Sequence, residues 1–135
     1  MTALQRIEGR RICLTFDDGP HPEHTPRVLD LLASHGCKAT FFLLGDSARH
    51  HPQLVKRIGR EGHSLGNHTF SHLPPRRNRE AQDAWQLRHS QHLLEDLAGH
   101  ELRWFRPPFG RLTPGLAQEA LRLGLRMQRA RTACF

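Results

Sequence analysis

The sequence predicts an α/β protein built as one domain of alternating strands and helices, and three observations carry that reading. Short β-rich apolar runs alternate with segments whose apolar residues recur at helical spacing. Each run ends at a glycine, a proline or both. No internal repeat or low-complexity linker divides the chain, and 135 residues suffice for one core.

Taken in order, Ile12-Cys13-Leu14-Thr15-Phe16 is the first strand, and Gly19-Pro20 stops it so that Asp17 and Asp18 fall at its carboxyl end. Thr25 as N-cap and Pro26 at the first helical position open a helix, with Val28, Leu29, Leu31 and Leu32 as its apolar face and Gly36 as its end. Residues 38–44 form a buried strand ended by Gly45. A helix over 52–60 presents Leu54, Val55 and Ile58 and stops near Gly62, and residues 63–68 run extended and deliver His68 to the edge that holds Asp17 and Asp18. Pro74-Pro75 and the basic loop Arg76-Arg77-Asn78-Arg79 precede the longest helix, 80–97, with Ala84, Leu87, Leu94 and Leu97 inward and Gly99 at its end. A strand over 102–106, a rigid turn over 107–110, and a helix capped by Thr113-Pro114 and carrying Leu116, Ala120, Leu121 and Leu123 complete the pattern. Residues 125–135 are an atypical tail with neither strand alternation nor a helical face.

Composition narrows the function. A mean hydropathy of −0.61 leaves no room for a membrane span. The amino terminus lacks the apolar stretch of a secretory signal, so the default expectation is a cytoplasmic protein. Three cysteines, Cys13, Cys37 and Cys134, show no CxxC spacing and read as packing residues. Twenty Lys and Arg against 13 Asp and Glu give a net charge of +7, which favours polyanions such as an anionic cell-wall polymer. The arginines are scattered and no nucleic-acid module or aromatic platform accompanies them, so no specific nucleic-acid partner is expected.

Chemistry concentrates at two places. Adjacent Asp17 and Asp18 repel one another, a cost that a bound cation relieves, and two carboxylates permit one to bind while the other moves protons. His68 and His72, four apart, can reach one ion through the intervening loop. Two imidazoles and one carboxylate leave coordination open for water, as in a catalytic zinc site. Thr69 stands where a zincin helix needs its glutamate base, which disfavours that alternative. Arg106 precedes Pro107, so its backbone is extended and its side chain is suited to pair with a site carboxylate. His89 and His92 read as a solvated helix face, and His21 and His24 as loop histidines.

The motifs Thr15-Phe16-Asp17-Asp18-Gly19-Pro20, His68-Thr69-Phe70-Ser71-His72 and Arg106-Pro107-Pro108-Phe109-Gly110, in this order, resemble the polysaccharide deacetylase family, the NodB-homology carbohydrate esterases. The resemblance spans roughly residues 11–124. It implies a distorted (β/α) barrel, here a partial domain over residues 1–135 lacking the carboxyl-terminal strands and helices, with the site at the carboxyl ends of its strands. It further implies that Asp18, His68 and His72 bind a divalent metal, Zn2+ or a similar ion such as Co2+, that Asp17 is the general base oriented by Arg106, and that Pro108, Phe109 and Gly110 line the substrate groove. The implied reaction is metal-dependent hydrolysis of the N-acetyl group of amino sugars in a chitin-like or peptidoglycan glycan. The family's further Asp- and Trp-containing motif and its Leu-x-His acid have no counterpart, and no histidine follows His100. An alternative is therefore a catalytically impaired metal- and glycan-binding remnant, a truncated or frame-altered product with an uncovered sheet edge open to self-association.

Overall fold

A computed structural model describes residues 2–7 and 11–130. Six strands form one sheet in sequence order: β1 (Thr2–Ile7), β2 (Arg11–Gly19), β3 (Ala39–Leu43), β4 (Ser64–Asn67), β5 (Trp104–Phe105) and β6 (Arg126–Met127). β1 pairs antiparallel with β2, and every later pairing is parallel. Parallel neighbours need crossovers. These contain α1 (His24–Ser34), α2 (Gly45–His50), α3 (Pro52–Arg60), α4 (Glu80–Ala98) and α5 (Pro114–Arg122). β1 and β6 are the outer strands, and no pairing joins them among the described residues, so the described sheet is open.

The main core lies between sheet and helices. Leu29 and Leu32 of α1, Val55 and Ile58 of α3, and Leu94 of α4 close over Phe41, Leu43 and Leu65 of the sheet. A smaller cluster joins Leu87, Phe105, Leu116 and Ala120 beneath α4 and α5. Full burial of each such Leu or Phe contributes about 1.5–3 kcal/mol, so these residues dominate the packing energy.

Several local expectations are corrected. Thr25 is not the N-cap of α1. It lies inside the helix, buried, and its Oγ1 accepts the His21 N–H at 2.8 Å. The imidazole of His21 instead receives the N–H groups of Glu23 and His24 through Nδ1. Leu31 is exposed, because it sits two residues, or about 200°, from Leu29 on the buried stripe. Leu121 is likewise exposed, displaced one residue from Ala120. Cys37 is exposed rather than packed, Cys13 is half-buried, and Cys134 lies outside the described residues. Gly45 ends β3 but also begins α2, a helix without apolar periodicity whose one buried side chain is that of Ala48.

The tail differs most from expectation. Arg126 and Met127 add a parallel strand, held by the Arg126 N–H on the Arg103 carbonyl at 2.7 Å and the Gln128 N–H on the Phe105 carbonyl at 2.8 Å. Both side chains are exposed, so the strand rests on backbone pairing and carries no apolar signal.

Candidate metal centre and active site

Three parallel strands end at one edge and deliver the site. β2 ends in Asp17-Asp18-Gly19, β4 leads into His68, and β5 leads into Arg106. The Arg106 N–H donates to the Asn67 carbonyl at 3.0 Å and continues the β4–β5 pairing past the strand ends. Asp18 departs from strand geometry at φ 70°, and the register against β3 shifts between Asp17 and Gly19. That irregularity turns the two neighbouring carboxylates toward different partners.

Asp18 faces the imidazoles. Its Oδ1 lies 3.3 Å from Nε2 of His68 and 3.3 Å from Nε2 of His72. Donor atoms of the three residues all fall within 4.8 Å of one another, close enough to face a single ion. His68 is buried, and its Nδ1 donates to the Arg106 carbonyl at 2.6 Å. That bond fixes the ring and points Nε2 at Asp18, the ring orientation usual for a metal-bound histidine. The hydrogen bond from His68 holds the Asp18 carboxyl below its usual pKa, aided by the charges of His68 and His72 and opposed by burial. An ionised carboxylate beside two imidazoles is a donor set that fits zinc or a similar divalent ion.

Asp17 faces Arg106. The guanidinium is buried, and its Nη1 donates to Asp17 Oδ1 at 2.7 Å and to Thr15 Oγ1 at 2.9 Å. Its Nε donates to the Gln128 carbonyl at 3.3 Å, so residues beside β6 also hold it. The plane lies over the Phe42 ring, 4.2 Å from the centroid. Gly66 makes this stack feasible, because a Cβ there would lie 2.5 Å from the Phe42 ring.

A cleft of about 360 Å³ joins these groups, with Asp17, Asp18, His68, His72 and Arg106 along its floor and Phe109 and Gly110 along one wall. Pro107 completes that wall; Pro108 is buried and does not line the cleft. The Phe109 ring packs 4.7 Å from that of His72. His21 and His24, stacked at 4.2 Å, open into a separate hollow on the other side of the aspartates. His89 packs against Trp85 and Phe70 and is not part of a metal-ligating group among the described residues.

One layer of the site escaped sequence reasoning, namely the polar face of α4. Gln86 Oε1 accepts the N–H groups of Phe70 at 3.1 Å and Ser71 at 2.8 Å, while its Nε2 donates to Ser71 Oγ at 2.8 Å. Ser90 Oγ donates to the Thr69 carbonyl at 3.1 Å. Asn67 Oδ1 accepts the Thr69 N–H, and its Nδ2 donates to the Leu87 carbonyl and to Gln91 Oε1. Gln86, Ser90 and Gln91 are all buried on α4, so the loop between the two histidines is templated by a helix. Polar residues on an inward helix face are the signal that could have found them.

The polysaccharide deacetylase family profile matches residues 5–128. A peptidoglycan-N-acetylglucosamine deacetylase of Bacillus cereus is 46% identical over 101 residues, which cover 75% of this chain and 37% of that protein. A chitooligosaccharide deacetylase of Azorhizobium caulinodans is 38% identical over 117 residues, covering 85% of this chain and 55% of its own length. The crystal structure of the Bc1960 peptidoglycan N-acetylglucosamine deacetylase superposes with a TM-score of 0.78 at 41% identity, over 84% of this chain and 53% of that one. The chain thus spans about half or less of the length of these relatives. The motifs, the parallel sheet and these similarities together make the chain a member of the polysaccharide deacetylase family.

Proposed function

We propose that this chain carries the metal- and base-bearing part of a hydrolase that removes N-acetyl groups from the amino sugars of a peptidoglycan or chitin-like glycan. The observation that carries the reading is the division between neighbouring carboxylates: Asp18 faces two imidazoles, and Asp17 is held by a buried arginine. A zinc or similar divalent ion held by Asp18, His68 and His72 would supply Lewis acidity toward the amide oxygen and toward water.

The rest of the chemistry is that of the chain itself. Arg106 fixes Asp17 through Oδ1 and leaves the second carboxylate oxygen to take a proton from the attacking water. The water oxygen bonds to the acyl carbon, the C–N bond breaks, and the proton taken by Asp17 is available to the departing amine. Acetate and a free amino sugar result. Phe109 offers an exposed aromatic ring at the cleft wall against which a sugar can lie.

The test is acetate release from N-acetylglucosamine oligomers by the purified chain. The expected result is release that stops on chelation and falls about 10²- to 10⁴-fold in Asp17→Asn, the range general-base catalysis supplies. A folded chain that binds metal and oligomers without turnover would instead identify a binding remnant.

A further inference from the structure

A second cleft lies beyond the metal site, and its chemistry is different. Its volume is about 460 Å³, and it forms where the loop leaving His72 meets the loop leaving Gly110. Arg76, Arg77, Arg79 and Arg111 line it, together with Glu80 and Asp83. We propose that this cleft binds the acidic substituent, a carboxylate or phosphate ester, of a sugar unit in the same glycan that enters the metal cleft. The proposal rests on the glycan reading given above.

Four guanidinium groups without a carboxylate partner meet in this one cleft. Arg49, Arg57, Arg88, Arg106 and Arg122 each have a carboxylate partner. Arg76, Arg77, Arg79 and Arg111 have none among the described residues, although two acids share their cleft. Asp83 is buried and already accepts the Thr113 hydroxyl at 2.6 Å, which leaves Glu80 as the exposed acid against four guanidinium groups. Arg79 is weakly engaged by the protein: its Nε has no partner, and its Nη2 reaches only the Pro74 carbonyl at 3.5 Å. Guanidinium groups without carboxylate partners are available for charge-assisted hydrogen bonds to an oxyanion in the cleft.

The walls are fixed. Gly115, in the first turn of α5, sits against the first residue of α4, where a Cβ would come within 2.7 Å of the Glu80 backbone. The amino-terminal ends of both helices therefore meet at this cleft, and their dipoles add to its preference for anions. Its volume exceeds the need of one inorganic ion and lies in the range of small-molecule sites, so it admits a sugar unit with its acidic group. Only short loops separate the two clefts. Phe109 and Gly110 line the first and Arg111 the second, while His72 and Arg76 are similarly divided. Arginine forks match both carboxylate and phosphate oxygens.

Binding, measured apart from turnover, tests the proposal. The Asp17→Asn chain is titrated at low salt with N-acetylglucosamine pentamers that are unmodified, carboxymethylated or phosphorylated. The expected result is a preference of about tenfold or more for one charged pentamer over the neutral one, about 1.4 kcal/mol. The better charged probe identifies the anion. An Arg76→Ala/Arg111→Ala variant should reduce that preference below about twofold, and the corresponding double Lys variant should retain part of it. Equal affinity for charged and neutral pentamers overturns the proposal. So does an equal loss in Arg27→Ala/Arg60→Ala, which removes the same charge from α1 and α3. Absence of acetate release from the unsubstituted chain would count against the hydrolase reading, while these affinities would still decide the anion cleft.

Discussion

Asp18, Thr69, His72 and Phe109 all hold left-handed backbone around one cleft, and only Asn78 shares that conformation among the other described non-glycine residues. Such geometry costs of order 1–3 kcal/mol per residue and persists only where the surroundings impose it. Around Thr69 the surroundings are Asn67, Gln86 and Ser90. Gln86 is accordingly a positioning residue. Gln86→Leu should weaken metal affinity about tenfold or more. Cobalt titration followed by absorbance measures this, with faster hydrogen exchange at the Phe70 and Ser71 amides as a second readout. Gln86→Glu, which keeps the acceptor, should recover most of the affinity; unchanged affinity in the Leu variant would refute the role. The gathering of Asp17, Asp18, His68, His72 and Arg106 at one cleft was legible in their types and spacing. Gln86 and Ser90 were not, since a glutamine or serine in a helix reads as solvated until the helix face is known.

Elements were legible where side chains form them and illegible where the backbone does. The apolar stripe of α3 and the Thr113 cap of α5, whose Oγ1 accepts the Leu116 N–H, follow from residue type. α2 and β6 follow from hydrogen bonds that no side-chain pattern records. The link between α3 and β4 also carries a pH dependence. His63 is buried at the start of β4, where its Nδ1 accepts the Ala39 N–H at 3.2 Å, joining this segment to β3. Burial, with help from Lys38 and opposition from Glu61, lowers its pKa below the ordinary 6.5. The folded state therefore prefers the neutral ring more than the unfolded state does. This stabilisation is complete above the ordinary pKa and is lost as pH falls through the lowered folded value. Melting temperature should drop between neutral pH and about pH 5. His63→Gln should flatten that drop, and a parallel drop in both proteins would show that His63 does not cause it.

For the molecule as a whole, the site is a property of the assembled sheet. Asp18 comes from the end of β2, His68 and His72 follow β4, and Asp17 pairs with Arg106 after β5, which the Gln128 carbonyl beside β6 also holds. A metal that binds only this assembly should stabilise it by about 2.7 kcal/mol at a free concentration one hundred times its dissociation constant. Thermal melts across a zinc series, repeated with Asp18→Asn, measure this; a melting temperature indifferent to zinc would refute it. The same geometry governs the order in which the molecule comes into being. The bond between Asp17 and Arg106 joins positions 89 apart. At ribosomal speeds of about 5–20 residues per second, roughly 4–18 s separate the synthesis of the two partners. Over the final part of that interval, from His72 to Arg106 and roughly 2–7 s long, the aspartate pair and both histidines already exist while the arginine does not. The nascent polypeptide thus carries both aspartates and both imidazoles of the candidate site before the arginine that pairs with Asp17.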